Sequence, residues 1–151
     1  MRNDENVRTF TVWHAPQGKE RPRVVYGRAY TPTKTREAEE VIQWAYRTQV
    51  HEPPYEDRVP LNVWVEAVFT VPKSDSRTAK ADKLEGRVRP CRKPDADNIA
   101  KLILDALNGL AWHDDAQITG LSVTKRYGET ECMRVSMWTV DESEEESNDT
   151  V

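Results

Sequence analysis

The stretch Lys93-Pro94-Asp95-Ala96-Asp97-Asn98-Ile99-Ala100-Lys101-Leu102-Ile103-Leu104-Asp105-Ala106-Leu107-Asn108-Gly109 organises the whole chain. Ile99, Leu102, Ile103, Ala106 and Leu107 recur at helical spacing, which predicts a helix over 95–108 with one buried stripe. Asp95 stands at or near the N-cap, and Asn108-Gly109 is a stop signal. Asp97, Lys101 and Asp105 follow one another at i, i+4 and i+8 on the opposite face, toward solvent or a cleft. A helix with a single apolar stripe needs a sheet or another helix against it, and the flanking segments supply both.

Upstream, Val63, Val65, Ala67, Phe69 and Val71 share one parity between Pro60 and Pro72, the clearest half-buried strand in the chain. Residues 7–14 alternate and predict a first strand. Residues 23–31 read as a short hairpin around Gly27. Pro32 then opens a helix, with Ala38, Val41, Ile42, Ala45 and Tyr46 on its apolar stripe and Trp44 at the edge, ending before Pro53-Pro54. Between Lys73 and Pro94 no period emerges, and the reading is a long mobile loop. Downstream come a turn over 111–115, a strand over 118–126, a Gly128 turn and a last strand over 132–140. The expected fold is α+β, an α/β sandwich: a mixed sheet with two main helices packed on one face.

The chain has 151 residues and a formal net charge of −4. That balance conceals a segregation. Residues 141–151 hold six acids and no base, and without them 20 acids face 22 bases. We read residues 1–140 as one domain and 141–151 as a disordered acidic tail. Lys73 to Lys93 carries eight Lys or Arg against three acids, and Lys19 to Arg36 carries six against Glu20. Such blocks suit phosphates, although each taken singly is equally a solvated surface. The apolar runs are too short to span a bilayer and no secretory h-region opens the chain. Cys91 and Cys132 lack a partner motif, as reduced thiols of a cytoplasmic protein would.

The chemistry gathers in Asp95, Asp97, Asp114 and Asp115. Crowded carboxylates need a neutraliser, and a hard cation such as Mg2+ binds through one or two carboxylates plus substrate phosphates. That points to a phosphodiester-cleaving site. Each residue also has a plainer role: Asp95 as a cap, Asp97 as a dipole partner, Lys101 as half of an i, i+4 pair, Asp114 and Asp115 as turn formers. If Asp114 and Asp115 open the next strand, they point to opposite faces and only one joins the site. The spacing leaves open which.

The segments Lys93-Pro-Asp-Ala-Asp-Asn-Ile-Ala-Lys101, Asp105-Ala-Leu-Asn-Gly109 and Trp112-His-Asp-Asp-Ala-Gln-Ile118 together closely resemble the RusA family of Holliday junction resolvases. Arg21-Pro-Arg23 and Ala29-Tyr-Thr-Pro-Thr-Lys-Thr35 are similar to that family too, so the resemblance spans roughly residues 8–140. It implies a homodimeric, Mg2+-dependent endodeoxyribonuclease that cuts four-way DNA junctions by paired nicks, in recombination and repair. It places the three catalytic, metal-binding aspartates on Asp95, Asp97 and Asp115, and the catalytic lysine on Lys101. DNA backbone contacts are then expected from Arg21, Arg23, Lys73, Arg77, Lys80, Lys83, Arg87, Arg89, Arg92 and Lys93. Pro94 stands where some members have arginine, which would cost a DNA contact there. A nuclease of other branched-DNA specificity and a non-catalytic junction-binding protein are the competing readings. Asp105, farther from the helix start, is expected to matter less than Asp97.

Overall fold

The structure, a computed structural model, describes residues 6–20, 23–30 and 33–140. At its centre lies the strand predicted from the 60–72 alternation, observed as Leu61–Thr70 (β4). The first strand is Arg8–Val12 (β1), and a hairpin follows from Arg23–Val25 (β2) and Arg28–Tyr30 (β3). Ile118–Gly128 (β5) pairs parallel to β4, while Cys132–Thr139 (β6) pairs antiparallel to it on the other side and carries β1 at its outer edge. The order is β1-β6-β4-β5, a mixed sheet. Because side chains alternate, Val63, Val65, Ala67 and Phe69 share a face with Val135 and Met137 of β6 and with Phe10 and Val12 of β1, all buried.

Two helices close that face. Thr33–Gln49 (α1) buries Ala38, Ile42, Ala45 and Tyr46 as its spacing predicts, and also Thr35. Val41, placed on the stripe, is exposed, as is Trp44. Ala96–Leu107 (which we number α3) buries Ile99, Ala100, Leu102, Ile103, Ala106 and Leu107. The helices pack on each other, Gln43 Nε2 donates to the Ala106 carbonyl at 3.1 Å, and Phe10 meets Tyr46 edge-to-face at 5.4 Å.

The segment read as a loop over 73–94 contains a third helix, Arg77–Leu84 (α2). The absence of an apolar period is real: α2 buries no residue. Local bonds hold it instead. Ser76 caps it by accepting from Ala79 N at 3.1 Å, Lys83 pairs with Asp75 at 2.5 Å, and Lys83 lies over the Tyr127 ring of β5 at 5.2 Å. A helix held by its cap and ion pairs leaves no stripe to read.

The second difference follows α3. Asp114 and Asp115 do not begin a strand. Asp114 caps a single 3-10 turn, Asp115–Gln117, and β5 starts after it. The acidic tail and the expectation of its disorder lie outside the described residues. No helix among the described residues is long and apolar enough to cross a membrane.

Candidate active site

Asp95 is the N-cap of α3 with extended backbone, φ −69° and ψ 150°, yet its side chain makes no capping hydrogen bond. The carboxylate is therefore free for something else, and its Oδ2 lies 3.2 Å from Lys93 Nζ. Asp97 sits in the first turn, where the helix dipole favours negative charge. Asp97 and Lys101 are exposed. Neither makes a side-chain hydrogen bond or ion pair among the described residues, so the Asp97–Lys101 pair their spacing permits is not formed.

These side chains form one wall of a cleft of about 1050 Å³, lined by Asp95, Asp97, Lys101 and Asp105 of α3 and its cap. The facing wall comes from residues 16–20 and from Lys34 and Thr35 at the start of α1. Backbone bonds fix its position: Lys19 N donates to the Asn98 carbonyl at 3.0 Å, and Glu20 N donates to Thr35 Oγ1 at 3.2 Å. Gly18 makes the approach sterically possible. A Cβ there would sit 2.9 Å from Asn98 Cβ and 3.0 Å from Pro94 Cβ.

Lys19 also forms an ion pair with Asp105 across the cleft. Glu39 of α1 belongs to the same group of charges. Its carboxyl is pushed up by burial, pulled down by Lys19 and pushed up again by Asp105. In the sequence Lys19 and Lys34 stand out only as part of a basic block, and Asp105 only as a residue farther from the helix start than Asp97. The i+8 position on the Asp97 face was the signal that Asp105 lines the cleft.

The Trp112–Gln117 segment separates the two adjacent aspartates by role. Asp114 Oδ1 accepts from Ala116 N at 3.0 Å, while Gln117 Oε1 accepts from Asp114 N at 3.1 Å and His113 N at 2.9 Å, a reciprocal cap. Asp114 is thus occupied. Asp115 is half-buried, and its Oδ1 accepts from Trp112 Nε1 at 2.8 Å. Burial pushes its carboxyl above the usual aspartate range, the Trp112 hydrogen bond pulls it down, and the charges of Asp105 and Asp114 push it up. Asp115 thus feels the charged face of α3 through Asp105, but it is not among the residues lining the cleft.

Among the described residues no three His, Cys, Asp or Glu side chains are gathered as a ready-made metal cage. Asp95 and Asp97 still offer carboxylate oxygens on one cleft wall. That donor set suits a hard cation completing its coordination with substrate phosphate and water.

The expected DNA-contacting residues divide. Arg21 lies outside the described residues, and Arg23 is described only as the first residue of β2. Lys73 and Arg77 are exposed, and Lys80 is half-exposed. Lys83 is committed to Asp75, and Arg87 to Asp82 at 2.8 Å and to Glu85. Arg89 Nη1 donates to the Lys125 carbonyl at 3.3 Å. Lys125 Nζ returns a bond to the Arg92 carbonyl at 2.5 Å. Arg92 and Lys125 both lie over the Phe69 ring, at 5.1 and 5.4 Å. Lys125 lies within the pattern of β5, outside both basic blocks of the sequence. The strap 89–92 that it holds leads directly into Lys93 and Asp95.

The family model for Endodeoxyribonuclease RusA matches residues 14–137. The chain belongs to the RusA endodeoxyribonuclease family. That match takes in both cleft walls, the strap and the Trp112–Gln117 segment. The chain is also 35% identical over 126 residues to the uncharacterized protein YqaN of Bacillus subtilis (strain 168), covering 80% of this chain and 87% of that protein. RusA membership makes the carboxylate cleft the candidate centre of a nuclease.

Proposed function

We propose that the protein is a Mg2+-dependent, structure-specific endodeoxyribonuclease that resolves four-way DNA junctions by paired nicks, as a homodimer, in DNA recombination and repair. The observation that carries the reading is the placing of Asp95, Asp97 and Lys101 on one wall of a cleft at the start of α3, within a chain of the RusA family.

Asp95 and Asp97 would hold the cation, with Asp115 as the third carboxylate of the set. When bound, Mg2+ supplies neutralising charge and lowers the pKa of a bound water. The protein's own residues orient the phosphate. Lys101, free of Asp97, offers its ammonium to a phosphoryl oxygen that gains charge as the bond breaks. Exposed Lys73 and Arg77, together with Arg92 on the strap and Lys93 just beyond it, hold backbone phosphates on either side without reading sequence. Trp112 holds Asp115 in one orientation. A four-way junction presents two symmetry-related strands, and a two-fold dimer presents two identical sites to them.

Cleavage of four-way, Y-shaped and linear DNA, with and without Mg2+, tests this. Paired, metal-dependent nicks confined to the four-way junction are expected. Equal cutting of all three substrates would mean a nuclease of other specificity, and binding without any cutting would mean a junction-binding protein. Sedimentation at micromolar concentration is expected to give a dimer; a fully active 17.4 kDa monomer would contradict it.

A further inference from the structure

The hairpin β2–β3 forms a two-stranded sheet of its own. It carries the two most exposed large apolar side chains among the described residues, Tyr26 at 100% and Val24 at 69%, with Val25 beside them at 46%. Tyr26 has φ 52° and Gly27 φ 76°. Positive φ at both positions is the two-residue loop that matches strand twist, and its first position ordinarily takes Asn, Asp or Gly. A bulky aromatic there is uncommon, and such outliers gather at ligand-contacting sites. The ring is therefore held at the outermost point of the hairpin against the backbone's own preference.

The hairpin's position gives this meaning. Arg23 is three residues beyond Glu20, and Tyr30 is three residues before Thr33. A chain spans at most about 3.6 Å per residue, so one foot lies within roughly 11 Å of the cleft residue Glu20 and the other within roughly 11 Å of the start of α1, next to Lys34. Arg28 on β3 is exposed beside the tip, and Lys34 lines the cleft. An apolar tip with Arg28 beside it, on a hairpin whose two feet are tethered close to the cleft, fits a nucleic acid in which a base face has lost its neighbour.

We propose that the β2–β3 hairpin engages the branch point of the DNA, with the Tyr26 ring stacked on a base exposed there and Arg28 on the adjoining phosphate. This rests on the junction-cleaving reading and adds how the branch is recognised: the cleft and strap bind any backbone, and Tyr26 discriminates. Stacking on an aromatic ring tolerates every base, as an enzyme directed at structure requires. A tip-to-tip contact between two copies is the rival occupant, and it would bring Arg28 against its own equivalent.

The test uses the full chain in EDTA, so that the DNA stays whole, and a four-way junction with 2-aminopurine at the branch point. Wild type is expected to change the probe's fluorescence on binding and to prefer the junction over duplex. Tyr26→Asn, which suits the positive φ and so preserves the turn, is expected to abolish the fluorescence change. It should also reduce the junction-over-duplex preference about ten-fold with duplex affinity unchanged, while Tyr26→Phe retains both. A Tyr26→Asn protein with wild-type preference and signal would overturn the proposal. A dimer turned into a monomer by Tyr26→Asn in sedimentation would overturn it too, by assigning the tip to a contact between copies. If wild type itself showed no junction preference, the functional reading would fall together with this one. A wild type that prefers and cuts junctions beside an unaffected Tyr26→Asn would remove the hairpin's role alone.

Discussion

Trp112, wholly buried, donates its indole N–H to Oδ1 of Asp115 at 2.8 Å. The tryptophan is fixed by the turn that follows α3, where Gly109 N donates to the Trp112 carbonyl at 2.9 Å and Tyr55 N to the Ala111 carbonyl at 2.9 Å. The core thereby dictates where one carboxylate oxygen points. Trp112→Phe deletes the donor and empties the space of the pyrrole ring, so stability is expected to fall by at least about 1.5–3 kcal/mol, the range for a hydrogen bond to a charged group, with the cavity cost added. Denaturant unfolding measures it, and a loss below half of that would mean water replaces the indole.

Asp114 and Asp115 are expected to separate cleanly. Asp114→Ala removes the cap of the 3-10 turn and should cost about 0.5–2 kcal/mol of stability while leaving cleavage at low temperature near wild type. Asp115→Asn should nearly abolish cleavage and leave the fold intact. The reverse pattern, in parallel unfolding and cleavage assays, would transfer the catalytic assignment to Asp114.

The raised Asp115 carboxyl has a pH signature. A group with a higher pKa folded than unfolded binds more protons in the folded state, so its contribution is fully present below the unfolded value and is lost as pH rises through the folded one. At neutral pH the ionised Asp115 therefore weakens the fold. Without added metal, Asp115→Asn should raise Tm slightly at pH 7, and the gain should vanish at pH values below the ordinary aspartate range. A gain that grew on acidification would contradict the direction of the shift.

Lys19 and Asp105 should be coupled. Lys19→Met and Asp105→Asn each break one ion pair, so the double variant is expected to lose less stability than the sum of the two. The coupling should be about 0.5–1 kcal/mol, modest because both side chains keep contact with solvent. Strict additivity would show that the pair contributes nothing.

The basic segment should act unevenly. Lys73→Ala and Arg77→Ala remove exposed cations that have no ion pair among the described residues and should each reduce the salt slope of DNA binding by about 1. Lys83→Ala removes a cation already neutralised by Asp75 and should instead destabilise α2. Equal salt-slope changes in all three variants would mean that the Lys83–Asp75 pair opens on DNA.

The two main helices and the central strand were legible because burial leaves a period, and the exposed hairpin because Gly27 marks its turn. Ala38, Ile42 and Ala45 show 3.6-residue spacing, and Val63, Val65 and Ala67 show alternation. Helix α2 was not legible, since Ser76, Asp75 and Lys83 hold it by local polar bonds that leave no stripe. Asp97, Lys101 and Asp105 could be placed on one exposed face from spacing alone, with Asp95 at the cap. The division between Asp114 and Asp115 could not, because it depends on an indole N–H and on a cap seen only once the turn is built. The facing wall of the cleft was invisible for a similar reason. Lys19 reaches Asp105 through 86 positions of chain separation, and local patterns carry no such information.

In the proposed mechanism the carboxylates at the start of α3 serve cleavage, while basic residues elsewhere supply the affinity. Asp97→Asn tests it most directly, with cleavage and binding of one four-way junction measured side by side in Mg2+. The cleavage rate is expected to fall by at least the ~100-fold that loss of an outer-shell partner costs, with junction affinity equal to or tighter than wild type. A variant that cuts at near wild-type rate, or that loses cutting only in proportion to lost binding, would contradict it.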